Sequence, residues 1–456
     1  MRIRRLLAIV VLTTTLLGPG CWDRVELEDI AWVQAIGFDK GPPGFYSTTM
    51  EIGIPRSLRG GVVSVGAIGP RYTTVTVLAR SILEAIDLTA VNLGRRISLV
   101  QAQLYLFGRE FAETDVRSIV GETKRLVEAR GSALVAMAQG RAEDILRVNT
   151  SPLEVSPGRF LMTILQQHGR TGLFEAARFV PDFVNLLESS SSSPRCPILA
   201  LASDYKPKGG GAGQGGGAEG DPSQQFPSTP QVGERVEPRT DLSKLAPSQS
   251  TTDLPPEDIP LAGGGPVILA GTAMFQGGRM VGTLTGEESR AVLVARNDLE
   301  RAAFPVIDPT APDKPELALD VEITGPRSKV RVTRTGDQVR IRLDIHVTVS
   351  YLATWTQTDF SDPRMTPLAE SAIEDYLKHL LDRTIAKSQA AGSDVFRFGE
   401  RVKRTFLTWP EFEEFAWLTK YPTAQIDTSV KVHIELYGLT LQPPVIPPSE
   451  KIQSPK

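Results

Sequence analysis

The sequence is poor in the residues that build disulfide frameworks and most metal sites. Its 456 residues include two cysteines, Cys21 and Cys196, which allow at most one disulfide. The few histidines are scattered without the paired spacing of a zinc site, at His168, His346, His379 and His433. A disulfide-stapled scaffold and a zinc finger are therefore excluded.

The sequence also lacks an excess of charge of either sign. Fifty Lys and Arg residues face 53 Asp and Glu residues, and the formal net charge is −3. A domain that binds nucleic acid through its phosphates needs a basic excess, so we expect no nucleic-acid partner. Only residues 6–17 form an apolar run with a length relevant to membrane insertion. A polytopic transporter, which needs several such runs, is therefore excluded.

Nor does the sequence show the groupings that catalysis requires, such as a nucleophile beside a base, a carboxylate pair or a set of metal ligands. Glu411, Glu413 and Glu414 follow Trp409-Pro410 and are predicted in the first turn of a helix, where the helix dipole favours negative charge. A general acid/base pair is the alternative for these residues. We expect a protein that is not an enzyme and that uses no cofactor.

The first twenty residues have the order of an export signal, with basic residues, an apolar run and small residues before Cys21. A helix of residues 6–17 would span about 18 Å, short of the roughly 30 Å hydrocarbon layer, so we expect this segment to be removed. The preceding Gly18, Pro19 and Gly20 resemble a lipobox, which predicts cleavage between Gly20 and Cys21 and acylation of the Cys21 thiol. An ordinary secretory signal with an incidental cysteine is the alternative.

Strand and helix patterns alternate through residues 21–140, which predicts an N-terminal mixed α/β domain. The strand patterns lie at residues 30–39, 47–54, 71–77, 96–107 and 132–139. Residues 141–203 are predicted to be mainly helical. Residues 204–265 are rich in Gly, Pro and Ser and are predicted to be a disordered insertion, because they carry too little apolar surface to offset ordering entropy.

A C-terminal α+β domain is predicted over residues 266–440, before a loose tail at 441–456. Residues 270–275 and 280–285 suggest a hairpin, and residues 339–350 alternate between apolar and polar, which predicts a half-buried strand paired with residues 329–335. His346 and His433 then fall on polar strand faces, where solvated surface histidines are expected.

The residues after Thr366-Pro367 have the periodicity of a long amphipathic helix that ends near Gly392. Such a helix would pack against the sheet of the C-terminal domain. The predicted fold class is therefore α+β, a multi-domain mixed α/β chain with antiparallel hairpins and a long helix of the C-terminal domain on a sheet.

Four blocks of sequence carry a resemblance to a known family through their order and joint coverage. The first is Cys21-Trp22-Asp23-Arg24-Val25-Glu26-Leu27 with Ala35-Ile36-Gly37-Phe38-Asp39, and the second is Gly94-Arg95-Arg96-Ile97-Ser98 with Leu104-Tyr105-Leu106-Phe107-Gly108-Arg109-Glu110. The third is Ala273-Met274-Phe275 with Glu287-Glu288-Ser289-Arg290, and the fourth begins at Asp394-Val395-Phe396-Arg397-Phe398-Gly399. Together they resemble the Ger(x)C family, the C subunits of spore nutrient-germinant receptors.

The resemblance implies a non-enzymatic lipoprotein, anchored through acyl chains on Cys21 to the outer face of the cytoplasmic membrane, which is the spore inner membrane. Its implied partners are a polytopic A subunit and a transporter-like B subunit, beside which it would support receptor assembly and nutrient-triggered germination. Cys21 is the one functional residue that the resemblance carries over.

Two other functions stay open. A solute-binding lipoprotein would also be tethered and non-catalytic. Such proteins usually have two α/β lobes, in which strands and helices alternate regularly as parallel sheets require. An exported cell-wall enzyme would need a carboxylate pair or a metal site that the fold brings together from distant residues.

Overall fold

The protein is described by a computed structural model in which two large β-sheets carry helices on their faces, and a third sheet in the described residues has two strands. The described residues are 26–53, 72–126, 130–148, 157–166, 168–207, 233–235, 250–261, 263–314, 317–354, 358, 360 and 362–436. Residues 1–25 and 437–456, with the predicted signal, Cys21 and the predicted tail, lie outside them.

The strands in the described part of the chain are β1 (Ile30–Lys40), β2 (Tyr46–Gly53), β3 (Tyr72–Ala79), β4 (Arg96–Ser98), β5 (Leu104–Gly108), β6 (Leu134–Ala138), β7 (Arg178–Phe179), β8 (Arg195–Leu201), β9 (Tyr205–Pro207), β10 (Gly233–Arg235), β11 (Val267–Gln276), β12 (Arg279–Leu284), β13 (Arg301–Ile307), β14 (Ala318–Thr335), β15 (Gln338–Thr354) and β16 (Gln425–Leu436). The helices are α1 (Ile82–Leu93), α2 (Arg109–Ala112), α3 (Arg117–Arg125), α4 (Ala142–Val148), α5 (Pro157–Leu165), α6 (His168–Thr171), α7 (Val180–Leu187), α8 (Gly286–Arg296), α9 (Thr366–Ala390), α10 (Gly399–Val402), α11 (Trp409–Phe415) and α12 (Trp417–Lys420).

The first sheet has the order β12-β11-β8-β6-β5-β1-β2-β3, with β4 beside β1 and β7 beside β6. Its centre, β1, β5, β6 and β8, is parallel, and its two sides are antiparallel. Successive side chains of a strand point to opposite faces. Tyr105 and Phe107 of β5 therefore pack with α1, α3 and α7, while Leu104 and Leu106 pack with α4 and α5.

The second sheet has the order β13-β14-β15-β16. Its strands are antiparallel except for β15 and β16, which are parallel and are joined by the crossover that contains α9. Along β15, Ile341, Leu343 and Ile345 are buried, whereas Arg342 and His346 are exposed. The alternation predicted for this strand and its pairing with residues 329–335 are confirmed.

The long helix α9 packs its apolar stripe against the second sheet, as its periodicity predicts. Ile373, Leu377 and Leu381 are buried in the same cluster as the inward side chains of β15. Thr366 and Pro367 suit an N-cap and a first helical position in the sequence, but the helix begins one position earlier, with Met365 at the N-cap and Thr366 in its first turn. The predicted α+β class is confirmed by this arrangement.

The hairpin of β11 and β12 belongs to the first sheet. We expected this hairpin in the C-terminal domain that starts at residue 266, but β11 pairs antiparallel with β8 and extends the first sheet. The mainly helical part likewise ends in a sheet strand, β8. Hairpin periodicity fixes the pairing within the hairpin, and it carries no information on which distant strand continues the sheet.

Two parts of the expected disordered insertion are ordered: β9 and β10 pair antiparallel in a two-stranded sheet, and residues 250–261 are packed against distant elements. Asp253 accepts hydrogen bonds from the Arg383 guanidinium at 2.9 and 3.0 Å. Gln139 donates to the Glu257 carboxylate at 2.7 Å. These polar contacts to distant elements order a stretch that has little apolar surface of its own, which composition does not reveal.

Candidate functional site at the junction of the two sheets

Residues 189–193 are five consecutive serines, and they lead from α7 to β8 past the turn that follows α9. The N–H of Ser193 donates to the carbonyl of Asp394 at 3.2 Å, and the N–H of Asp394 donates to the Ser193 hydroxyl oxygen at 2.9 Å. The Ser393 hydroxyl donates to the carbonyl of Phe275 in β11 at 2.8 Å. The turn after α9 is thus joined to two strands of the first sheet.

The buried carboxylate of Asp394 organises this turn. It accepts hydrogen bonds from the N–H groups of Phe398 and Gly399, at 3.0 and 2.7 Å, and from the Trp417 indole N–H at 2.9 Å. Burial raises the pKa of Asp394, and these three hydrogen bonds lower it. A Cβ on Gly399 would lie 2.2 Å from the carbonyl oxygen of Ser191 and 2.3 Å from the Trp417 ring, so glycine is required there.

A second buried carboxylate, Glu175, lies between α6 and β7 and gathers three arginines. Its oxygens lie 2.6 Å from Arg296, 3.2 Å from Arg178 and 3.4 Å from Arg195. Burial raises the pKa of Glu175, but Arg296, Arg195 and Arg178 together lower it to about 2. The carboxylate is therefore charged at neutral pH and is paired inside the protein.

Arg195 connects the two buried carboxylates. It begins β8, its side chain is 1% exposed, and its guanidinium donates to the carbonyl of Ser193 at 3.2 Å. Burial and the neighbouring Arg296 lower the pKa of Arg195 to about 9, while Glu175 raises it. The guanidinium stays charged at neutral pH. Since Arg296 ends α8, this ion-pair network spans both halves of the protein.

The side chains at the junction are arranged to hold the two sheets together. Cys196, the residue after Arg195, is buried, and burial raises the pKa of its thiol, so it is not a thiolate at neutral pH. In the ranges that the structure describes, no three His, Cys, Asp or Glu side chains converge as metal ligands would. The arrangement can hold the two sheets in a fixed relation through buried charge and backbone hydrogen bonds.

A comparable attachment lies where β1, β5 and α4 meet. The Asp39 carboxylate accepts hydrogen bonds from the N–H groups of Ala142 and Glu143 at 2.8 and 2.9 Å, which satisfies the start of α4. Burial raises the pKa of Asp39, and these hydrogen bonds lower it. A Cβ on Gly108 would lie 1.9 Å from Asp39, and one on Gly37 would lie 2.9 Å from the Ala142 Cβ.

The third block that carries the resemblance surrounds the start of α8. Thr285 and Glu288 form a capping box there, and the Lys387 ammonium of α9 lies 2.6 Å from the Glu288 carboxylate. The Ser289 hydroxyl is 2.8 Å from the hydroxyl of Thr272 in β11. The block therefore attaches α8 to both its neighbours.

Gly20 and Cys21, the predicted cleavage and lipidation positions, lie outside the described residues, so acylation of Cys21 stays a prediction. In the described part of the chain, no helix combines the length and the apolar character needed to cross a bilayer.

The acidic residues Glu411, Glu413 and Glu414 lie on α11 and are exposed, while Phe412 and Phe415 of the same helix are buried. The prediction that all three lie in the first turn is wrong: only Glu411 does, because the helix is short and ends at Phe415. The predicted alternative of a general acid/base pair gains no support from this placement.

The predicted surface histidines, His346 and His433, are exposed on the polar face of the second sheet. His346 lies opposite Lys431, and His433 lies 3.3 Å from Glu370 of α9.

Sequence reasoning missed the buried network of Glu175, Arg195, Arg296 and Asp394. One signal was available: Arg195 directly precedes the apolar run of β8, and a charged residue at the start of a fully buried strand needs a buried partner. The identity of that partner depends on residues far away in the sequence.

Two family descriptions match the chain, one for each half. "Spore germination protein N-terminal domain" matches residues 23–201, and "Spore germination B3/GerAC like, C-terminal" matches residues 270–438. The first match ends with β8 and the second begins in β11, so the two matched modules share the first sheet. Fold and matches together define a spore germination protein.

Among known proteins, spore germination protein KC of Bacillus subtilis (strain 168) is 22% identical over 448 residues, which cover 96% of this chain and 97% of that protein. The crystal structure of the GerBC protein aligns with a TM-score of 0.44 and 12% identity, over 88% of this chain and 96% of that one. The chain belongs to the Ger(x)C family, as its sequence blocks predicted.

Proposed function

We propose that this protein is the C subunit of a nutrient-germinant receptor and that it is lipid-anchored through Cys21 on the outer face of the cytoplasmic (spore inner) membrane. The observation that carries the proposal is the family match over both halves, whose first matched residue, Asp23, comes two positions after the cysteine. A lipobox-like sequence directly before the matched domain supports an anchor at that point.

The physical case for the anchor is the strength of acyl insertion. Each buried methylene contributes about 0.8 kcal/mol, so a single chain binds reversibly and two or more chains hold a soluble domain on a bilayer. Acylation of Cys21 would keep Glu26, the first residue that the structure describes, close to the membrane surface.

The proposed role is non-catalytic: the protein supports the assembly of a polytopic A subunit and a transporter-like B subunit and their response to nutrient. The junction between the sheets supports this role because it fixes a large surface in one geometry without an evident reactive group. We assign the protein no cofactor and no nucleic-acid partner.

Fractionation of sporulating cells that express Cys21→Ala tests the anchor. We expect the wild-type protein in the membrane fraction and the variant in the soluble fraction, with Cys196→Ala as the matched cysteine control that stays with the membrane. Mass spectrometry of the mature N-terminus would detect the acyl mass on Cys21. Equal membrane retention of Cys21→Ala, or an unmodified thiol, would refute the anchor.

Co-purification tests the receptor role independently of the anchor. An affinity tag on this chain should retain a polytopic and a transporter-like protein from detergent-solubilised spore membranes. Recovery of this chain without either protein would contradict the proposed assembly.

A further inference from the structure

Residues 401–409 form a protruding segment that combines exposed apolar side chains with basic ones. The segment runs from the end of α10 to the start of α11. Leu407 is 96% exposed and Trp409 is 46% exposed. Arg401, Lys403 and Arg404, also exposed, precede them within the same segment. A fully exposed leucine next to a tryptophan favours a surface that is covered in the working protein.

The side chain of Phe406 holds the segment against the protein, and the neighbouring Leu407 is exposed. The ring of Phe406 packs 5.6 Å from Phe412 and 5.0 Å from Phe415, between ring centroids. The guanidinium of Arg334, near the tip of the β14–β15 hairpin, lies 4.2 Å from the Phe406 ring. Phe406 thus anchors the segment in the core cluster, and Leu407 is the next residue outward.

The charge of the segment indicates an anionic partner. Arg401 and Arg404 form no ion pair within the described residues, and the Lys403 ammonium lies 4.6 Å from the Trp409 ring. No acidic residue lies between positions 401 and 409, but the exposed Glu411, Glu413 and Glu414 of α11 follow directly, so the positive charge is confined to residues 401–404. This local basic cluster is therefore a feature of the segment and does not follow from the overall composition.

We propose that the 401–409 segment binds the surface of a bilayer that contains anionic phospholipids. Arg401, Lys403 and Arg404 would contact headgroup phosphates, while Leu407 and Trp409 would enter the boundary between headgroups and acyl chains. Tryptophan is enriched at that boundary because its ring is apolar and its N–H is polar. The proposal rests on the proposed location of the protein at a membrane surface.

The start of the segment lies near the end of the first sheet at which β1 and β8 begin. Since β1, β5, β6 and β8 are parallel, β1 and β8 begin at the same end of the first sheet. Ile30, at the start of β1, follows Cys21 by nine residues, which span at most about 30 Å. Just before β8, Ser191 adjoins Gly399, two residues before Arg401. The acyl anchor and the segment can therefore reach one bilayer together.

The test uses the full mature chain with Cys21→Ser, so that no acyl chain contributes. Its sedimentation with phosphatidylcholine vesicles that contain 30% phosphatidylglycerol is compared with sedimentation on pure phosphatidylcholine. Each basic residue near such a surface strengthens binding about fivefold, so Arg401→Gln/Lys403→Gln/Arg404→Gln should weaken partitioning on the order of 100-fold. We expect Leu407→Ser/Trp409→Ser to weaken it about tenfold or more, because the inserted side chains are lost.

A charge-matched control is available on the exposed face of the second sheet. Arg327→Gln/Lys329→Gln/Arg340→Gln removes the same number of positive charges from the same half of the protein, and we expect less than a threefold effect. Trp409→Phe keeps an apolar ring at the position. Lipid-borne fluorescence quenchers should quench the wild-type protein more than this variant, because Trp409 is the inserted fluorophore.

The possible outcomes separate the proposal from its alternatives. Equal losses of vesicle binding in the two triple variants would mean general charge attraction and would overturn the proposal. Wild-type binding that does not depend on phosphatidylglycerol would overturn it as well. Vesicle binding unchanged by both segment variants, with loss of receptor co-purification, would assign the segment to a protein partner instead. Because the vesicle chain lacks Cys21, failure of the anchor and failure of this proposal give different results.

Discussion

Replacing Glu175 by glutamine removes the carboxylate on which three buried or half-buried arginines converge. Removing one partner of a buried ion pair leaves the other charge without compensation and typically costs about 3–5 kcal/mol. Arg195 and Arg296 have side chains that are 1% and 3% exposed, so water cannot replace the lost carboxylate. We expect Glu175→Gln to lower the free energy of unfolding by about 3–5 kcal/mol.

The pH dependence gives a second estimate of the same interaction. The pKa of Glu175 falls from 4.5 to about 2 in the folded protein, and 1.36 kcal/mol per pH unit makes this roughly 3 kcal/mol. Because the folded pKa is lowered, this stability is present above pH 4.5 and is lost as the pH falls towards 2. Glu175→Gln should therefore be destabilised at neutral pH and should lose less stability than wild type on acidification.

Urea unfolding followed by tryptophan fluorescence and circular dichroism, at pH 7 and pH 3.5, measures both effects. Glu188→Gln is the matched control, because Glu188 is 69% exposed and lies 3.9 Å from Lys124, so about 0–1 kcal/mol is expected. Arg296→Met should cost less in the Glu175→Gln background than in wild type, since the pair is already broken. A loss below 1 kcal/mol for Glu175→Gln, or the same acid dependence as wild type, would refute the electrostatic account.

Two further changes probe the packing of the junction and of the insertion. Gly399→Ala should destabilise by about 1–3 kcal/mol, because the added methyl overlaps a serine carbonyl and an indole ring, whereas Gly140→Ala has no atom within 4 Å and should change the melting temperature little; equal effects would contradict the packing argument. Deletion of residues 209–249 removes β10, which pairs with β9 in a separate two-stranded sheet, and should leave the thermal midpoint nearly unchanged. Deletion of residues 250–261 should lower the midpoint clearly, because it removes the contacts of Asp253 with Arg383 and of Glu257 with Gln139. A midpoint unaffected by the second deletion would show that those contacts are dispensable.

Local periodicity predicted the elements of this fold well. The alternation at residues 339–350 and the helical spacing after Thr366 each report which face of one element is buried, and both are confirmed by β15 and α9. The same information could not place the β11–β12 hairpin in the first sheet. That placement depends on pairing with β8, which is more than sixty residues away in the sequence.

The sequence did not predict the buried charges, because their burial also depends on contacts between distant residues. Glu175, Arg195 and Arg296 are ordinary surface residue types, and their burial depends on elements from both halves of the chain meeting at one point. From composition alone, these three residues are expected to be solvated surface charges. Only the tertiary structure distinguishes them from the exposed pair of Lys124 and Glu188.

Several of the residues that carry the family resemblance, where the structure describes them, allow neighbouring elements of the fold to pack closely. Gly37, Asp39 and Gly108 allow α4 to meet the first sheet, and Asp394 and Gly399 attach the second half to it. Such positions tolerate little change because a side chain or a lost acceptor would disturb the backbone, whatever the protein binds. Partner contacts should therefore be sought at exposed positions outside these blocks or on their surface side. The 401–409 segment satisfies this condition, because its exposed side chains can change without disturbing the half-buried Phe406 that packs against the core cluster.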